Sequence, residues 1–188
     1  MSTLLAQINY AKAYRANRLA AAHWVIEHPE TIPELIDYVY LETQEEITHK
    51  AAWVLEFVVI ENPSLLHNHL DLFFERITFP KKEQTVRPLA NIAEKLCLAY
   101  YKTSKKYSKP PLTAAHKEIL TEACFDWIIE DKKVACTARA MTCLYLIGTE
   151  IDWIHPELKV ILEQKLPSGT AGYKNRAEKI IEKIGEKQ

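Results

Sequence analysis

The absence of glycine from Met1 to Ile147 constrains this chain more than any other feature. All four glycines, Gly148, Gly169, Gly172 and Gly185, fall in the last quarter of the sequence. Two-residue β-hairpins and phosphate-cradling loops draw on glycine for positive φ or for close backbone approach, so the first three quarters can build neither easily. Helices joined by turns that proline marks are what remains.

The spacing of apolar residues predicts helices over about 4–27, 32–42, 44–61, 65–77, 86–101, 114–130, 133–147, 154–165 and 171–184, the first of them divisible into two. Thr31-Ile-Pro-Glu34 and Thr43-Gln-Glu-Glu46 have the spacing of a capping box. Ser64, Thr85 and Thr113 stand where further N-caps are expected, and the Ser168 to Gly172 stretch reads as a capped turn into the last helix.

A repeat lies under this pattern. Val25-Ile-Glu-His-Pro29 recurs as Val59-Ile-Glu-Asn-Pro63, at an offset of 34. Lys50-Ala51, Arg87-Pro88, Arg139-Ala140 and Arg176-Ala177 recur near helix starts at offsets of 37, 52 and 37, and the longer interval holds the Lys102 to Pro111 insertion. Such periods, with two helices each, point to a solenoid. The run from Ala51 to Ile60 is apolar almost all round, as is Met141 to Ile147, whereas Ala177, Ile180, Ile181 and Ile184 form one stripe on a terminal helix.

The segments Lys50 to Pro63, Val86-Arg-Pro-Leu-Ala90 and Lys174 to Ile181, with the tract Trp153-Ile-His-Pro-Glu-Leu158, resemble HEAT-like, armadillo-type repeats. Taken together, the chain is similar to a group of short bacterial HEAT-like proteins. The resemblance implies an all-α fold, an α-α superhelix of about four to five stacked helical hairpins. Its motifs are packing signatures and name no reaction. Some proteins of that group carry an adenylosuccinate lyase label. Lyases of that family use a loop resembling S-S-x-M-P-x-K-x-N, and Ser168-Gly-Thr-Ala-Gly-Tyr-Lys-Asn-Arg176 lacks the Met-Pro pair and the second serine.

At 188 residues the chain is long enough for one core and short for two, so residues 1–188 read as a single domain. Lysine and arginine total 24 against 25 acids, and the net charge of −1 demands no polyanionic partner. The halves differ mildly: 8 bases and 12 acids up to Ala90, then 16 and 13. Lys102, Lys105, Lys106 and Lys109 read as a solvated linker beside Pro110 and Pro111. Met1 to Tyr10 has no basic leader, and no stretch reaches the roughly 20 apolar residues that span a bilayer. A cytoplasmic protein without membrane contact is the expectation.

The residues that carry chemistry form no complete set. Cys97, Cys124, Cys136 and Cys143 have no CxxC spacing and read as buried free thiols. Glu46-Ile-Thr-His49 has the i, i+3 spacing of a di-iron bundle but no second copy, and His67 with Asp71 supplies only two ligands. No metal and no cofactor are therefore expected. Trp24, Trp53, Trp127 and Trp153, near Asp126 and Asp152, invite comparison with HEAT-like DNA glycosylases, but the net charge lacks the basic channel. No serine lies in a G-x-S-x-G context.

The favoured expectation is a non-enzymatic scaffold for a protein or peptide. A nucleic-acid binder using the lysine-rich second half, through Lys102 to Lys109, Lys132, Lys133 and Arg139, is one alternative. A small enzyme with a pocket between repeats is the other. In HEAT-like stacks the second helices line the binding side, here about 32–42, 65–77, 114–130 and 154–165. Their polar positions Asp37, His67, Asp71, Arg76, Lys117, Glu118, Lys159 and Glu163 are expected to be exposed, with mixed charge that suits a protein better than a phosphate backbone.

Overall fold

The computed structural model describes residues 3–41, 43–102, 108–130 and 133–186. Helix accounts for 77% of the described residues, and no strand occurs among them. The helices are α1 (Thr3–Ile8), α2 (Arg15–Glu27), α3 (Ile32–Val39), α4 (Glu45–Glu61), α5 (Leu70–Glu75), α6 (Glu83–Tyr101), α7 (Ala114–Ile129), α8 (Val134–Ile147), α9 (Ile154–Lys165) and α10 (Ala171–Gly185). Short 3-10 segments occupy Pro29–Thr31 and Pro63–His69.

The first predicted helix is indeed two. Side chains in the first turn of α2 satisfy the carbonyls of the intervening loop: Arg18 Nε and Nη2 donate to Ala13 O at 3.0 and 2.7 Å, and Asn17 Nδ2 donates to Lys12 O at 2.8 Å. The helix expected over 65–77 is instead a tight 3-10 segment followed by the six residues of α5. Proline disfavours the α region for the residue before it, and Asn62, ahead of Pro63, sits at φ −139°, ψ 82°. His28, ahead of Pro29, does likewise at φ −126°, ψ 62°. The sequence repeat thus ends α2 and α4 in the same way, with Val25 and Val59 both fully buried.

The caps depart from expectation. Thr31 is already in the αR region, where its side chain cannot reach the next amides, and its hydroxyl donates to His28 O at 2.7 Å. Thr43 caps nothing, because α4 starts after Gln44. Ser64 lies within the 3-10 segment and donates to Asn62 Oδ1 at 2.6 Å, and Thr85 is buried inside α6. Thr113 and Thr170 do cap α7 and α10.

Packing proceeds from neighbour to neighbour. Helices α2, α4, α6, α8 and α10 each touch the next, while α3 touches α5 and α5 touches α7. Helix α8 lies at the centre, against α6, α7, α9 and α10. The seventh residue of α2, α4, α8 and α10 is in every case a buried alanine: Ala21, Ala51, Ala140 and Ala177. A side chain that small lets a neighbouring helix approach closely. One hydrophobic cluster includes residues from Leu4 to Ile184. Burying a large apolar side chain contributes about 1.5–3 kcal/mol. Phe73 and Phe74, both fully buried, therefore hold α5, whose single turn and a half is too short to persist alone. Among the described residues, no helix is long and apolar enough to cross a membrane.

Candidate functional site

Helix α7 organises the most distinctive surface, beginning with its cap. Thr113 is extended, at φ −85° and ψ 169°, and its Oγ1 accepts the His116 N–H at 3.2 Å. His116 takes the place of the usual glutamate, its Nδ1 accepting the Thr113 N–H at 3.2 Å. An accepting Nδ1 leaves the proton on Nε2, which donates to Asp71 Oδ1 at 2.7 Å. The ring also stacks on Phe74, with centroids 5.0 Å apart. One side chain thus closes the cap and ties α7 to α5.

Lys117 turns inward beside it. Its ammonium donates to Glu150 and, at 3.1 Å, to the Tyr100 hydroxyl, and it lies 4.3 Å from the Tyr100 ring centroid. Burial lowers its pKa, but the hydrogen bonds to Glu150 and Tyr100 outweigh that and leave it raised, so the lysine stays charged. Burial first, and then the Glu150 carboxylate, push the neighbouring Tyr101 hydroxyl far above the ordinary tyrosine value.

With Lys117 and the His116 ring both turned inward, α7 presents carboxylates. Glu118 and Glu122 are exposed and Asp126 is half-buried, and none of these side chains meets a cation or hydrogen-bond partner among the described residues. Beside them, Ala114, Glu118, Thr121, Glu122, Phe125, Ile151 and Trp153 enclose a groove of about 450 Å³. Trp153 stacks on Phe125 at 5.8 Å with ring planes 20° apart, yet is 57% exposed. Ile129 on α7 and Val160 on α9 are also exposed, at 55% and 48%.

The other residues singled out from sequence are mostly engaged with one another. Asp37 pairs with Arg76 at 2.6 Å, and the Arg76 guanidinium lies 5.2 Å from the Tyr40 ring centroid. Asp71 is taken by His116, and Lys159 faces Glu163 at 3.9 Å along one helix face. Lys117 is not a surface residue, because Glu150 and two tyrosines draw it into the protein. His67 does not pair with Asp71; its Nε2 is buried without a hydrogen-bond partner among the described residues, and burial lowers its pKa. Only Glu118 of that set stands in the Trp153 groove.

Further chemistry is dispersed. Glu46 accepts from Lys50 at 2.6 Å while His49 faces Glu45 at 3.7 Å, so the ExxH residues do not act together. Among the described residues, no group of three or more His, Cys, Asp or Glu is placed to hold a metal ion. His49 and Glu45 line a cavity of about 270 Å³ with Tyr40, Phe79 and Lys82. A more polar cavity of about 280 Å³ is formed by Arg18, Trp53, Glu56, Glu83, Gln84, Arg87 and Lys133, with the Arg18 guanidinium 4.6 Å from the Trp53 ring centroid. Ser168 donates locally to Lys165 O at 3.3 Å, in the turn that Thr170 closes. Of the lysine-rich set, Lys105, Lys106 and Lys132 lie outside the described residues, Lys109 lies 4.0 Å from the Tyr100 ring centroid, and Arg139 faces Glu94 at 3.7 Å.

Compared with family models, with curated proteins and with solved structures, the chain finds no match.

Sequence spacing missed two arrangements. Cys97, Cys124 and Cys143 come from α6, α7 and α8 to meet in the core, where Cys143 hydrogen-bonds with both others. That bonding pushes Cys97 and Cys143 well above the usual thiol value, and burial raises Cys124. None of these cysteines lines the cavities described above. Trp153 is the second case: Trp127 is buried, but Trp153 opens to solvent. A signal was available, since Trp153 follows Asp152 in a turn rather than inside a helix.

Proposed function

We propose that the chain is a non-catalytic scaffold that binds a protein or peptide, built as a superhelix of HEAT-like hairpins. The pairs α2 with α3, α4 with α5, α6 with α7 and α8 with α9 would be the hairpins, closed by α10. The ordered neighbour contacts and the shared endings of α2 and α4 support that reading. In it, α3, α5, α7 and α9 form the binding side. The observation that carries the function is Trp153: a large aromatic, stacked on Phe125, more than half exposed, and set in a groove beside a helix of that side. Exposed aromatic and aliphatic groups in a concave setting are what the centre of a protein interface is made of. Among the described residues, three of the five exposed large apolar side chains, Ile129, Trp153 and Val160, lie on α7, on α9 or in the turn before α9.

Affinity capture from native cell extract at physiological salt tests the proposal. The wild-type protein and a Lys179→Glu variant on α10 should retain the same partner, and a Trp153→Ala variant should lose most of it. Equal retention by all three would remove this surface from the function.

A further inference from the structure

We infer that the Trp153 groove and the acidic face of α7 bind an extended basic peptide segment with lysine or arginine at alternate positions, an inference that rests on the scaffold reading. The charge argument is local and one-sided. Lys117, the cation of α7, is held by Glu150 and Tyr100, and the His116 ring by Thr113 and Asp71. Glu118, Glu122 and Asp126 are left without a counter-charge among the described residues. Asp152, in the turn that carries Trp153, adds a further exposed carboxylate.

The spacing sets the register. Glu118, Glu122 and Asp126 recur every four residues, a step of about 6 Å along a helix with a 1.5 Å rise per residue, and they share one face. Alternate side chains of an extended peptide recur every roughly 6.6 Å on one side of its backbone. Over two steps the mismatch is about 1 Å, within the play of a lysine side chain. A peptide lying along α7 would place successive basic groups opposite successive carboxylates. Trp153 lines the same groove as Glu118 and Glu122, and its ring is an electron-rich platform for a cation and its aliphatic stem, a contact strongest on tryptophan. The groove's Ala114, Ile151 and Phe125 cover that stem from water. A nucleic acid is disfavoured by the same charges that favour a basic peptide.

The test is an NMR titration of the ¹⁵N-labelled full chain with the capped peptide Lys-Ala-Lys-Ala-Lys. The indole N–H signal that is absent from the Trp153→Ala spectrum should shift on binding, with backbone shifts confined to α7 and the 149–153 turn. Trp153→Ala should weaken binding about two- to fivefold. Glu118→Gln with Glu122→Gln should weaken it about three- to tenfold. Raising the salt from roughly 0.05 to 0.5 M should weaken it several-fold. All these side chains are exposed, so the variants should keep wild-type circular dichroism. Equal affinity for Lys-Lys-Lys-Ala-Ala, shifts centred on another surface, or binding of Glu-Ala-Glu-Ala-Glu instead would overturn the inference. Capture of a cellular partner that depends on Trp153 but not on Glu118 and Glu122 would refute the basic peptide and leave the scaffold standing.

Discussion

Gly148 should resist replacement for a reason unrelated to backbone freedom. It closes α8 at φ −63°, ψ −8°, a conformation open to any residue. A Cβ placed there would lie 2.3 Å from His155 Cδ2 and 2.6 Å from His155 Nε2. The ring cannot retreat freely, because Nε2 donates to Tyr145 O at 2.8 Å and the ring stacks on Tyr145 at 5.4 Å. Restoring ordinary contact requires a shift of about 1 Å, enough to break that hydrogen bond and loosen the stack. The bond is worth about 0.5–1.5 kcal/mol and the stack about as much. Against this, replacing glycine with alanine stabilises by about 0.4–1 kcal/mol through the unfolded chain. Gly148→Ala should therefore cost about 1–2 kcal/mol net. In a His155→Ala background only Leu144 O, 3.0 Å from the added Cβ, remains close, and the same change should become nearly neutral. Urea unfolding followed by circular dichroism, with m unchanged, reads both values. Equal costs of Gly148→Ala in the two backgrounds would refute the account.

The buried lysine gives a sharper contrast. Lys117→Glu sets two carboxylates together and should destabilise by about 3 kcal/mol or more, whereas Lys117→Met fills the same space and lets the half-exposed Glu150 turn to water at about 1–2 kcal/mol. Equal midpoints for the two variants would show that the charge pair is not what holds Lys117. Burial lowers the pKa of both His49 and His67, so the folded state binds fewer protons than the unfolded one below the ordinary histidine value. Their stabilisation is complete above about pH 6.5 and is lost as pH falls through the folded values. Replacing both with Gln should flatten the stability profile between about pH 7 and 5, and an unchanged slope would reject the assignment. All four cysteines are buried, so an aromatic disulfide reagent should modify none in native buffer and all four in strong urea. Fast native modification of any one would contradict its burial.

What the sequence disclosed was set by local physics. Proline fixed the ends of α2 and α4, and apolar spacing located α4, α7, α8 and α10 within a few residues. Capping chemistry was legible only where the preceding backbone is extended. Thr113 satisfies that condition, and Thr31, already turned into the αR region by the Pro29 segment, does not. The residues of the candidate site needed information that spacing does not hold. His116 finds Asp71 across 45 positions and Lys117 finds Glu150 across 33, so the charges left on the surface could not be counted from the chain. The expected mixed face becomes a carboxylate face on α7 for that reason. Trp153 escaped because the residue type alone does not separate it from Trp127, which is buried.

The succession of neighbours through α2, α4, α6, α8 and α10 bears on how the protein opens. A helix in such a row depends on the one before and the one after, so the cost of releasing it is set by how many flanking helices it leaves uncovered. Helix α10 can part from α8 and α9 and leave the remaining core shielded, whereas α8 cannot move without baring α6, α7, α9 and α10 at once. Amide hydrogens should therefore exchange with solvent on a graded clock: soonest in α1 and α10, latest in α8, where the slowest sites report the whole molecule coming apart.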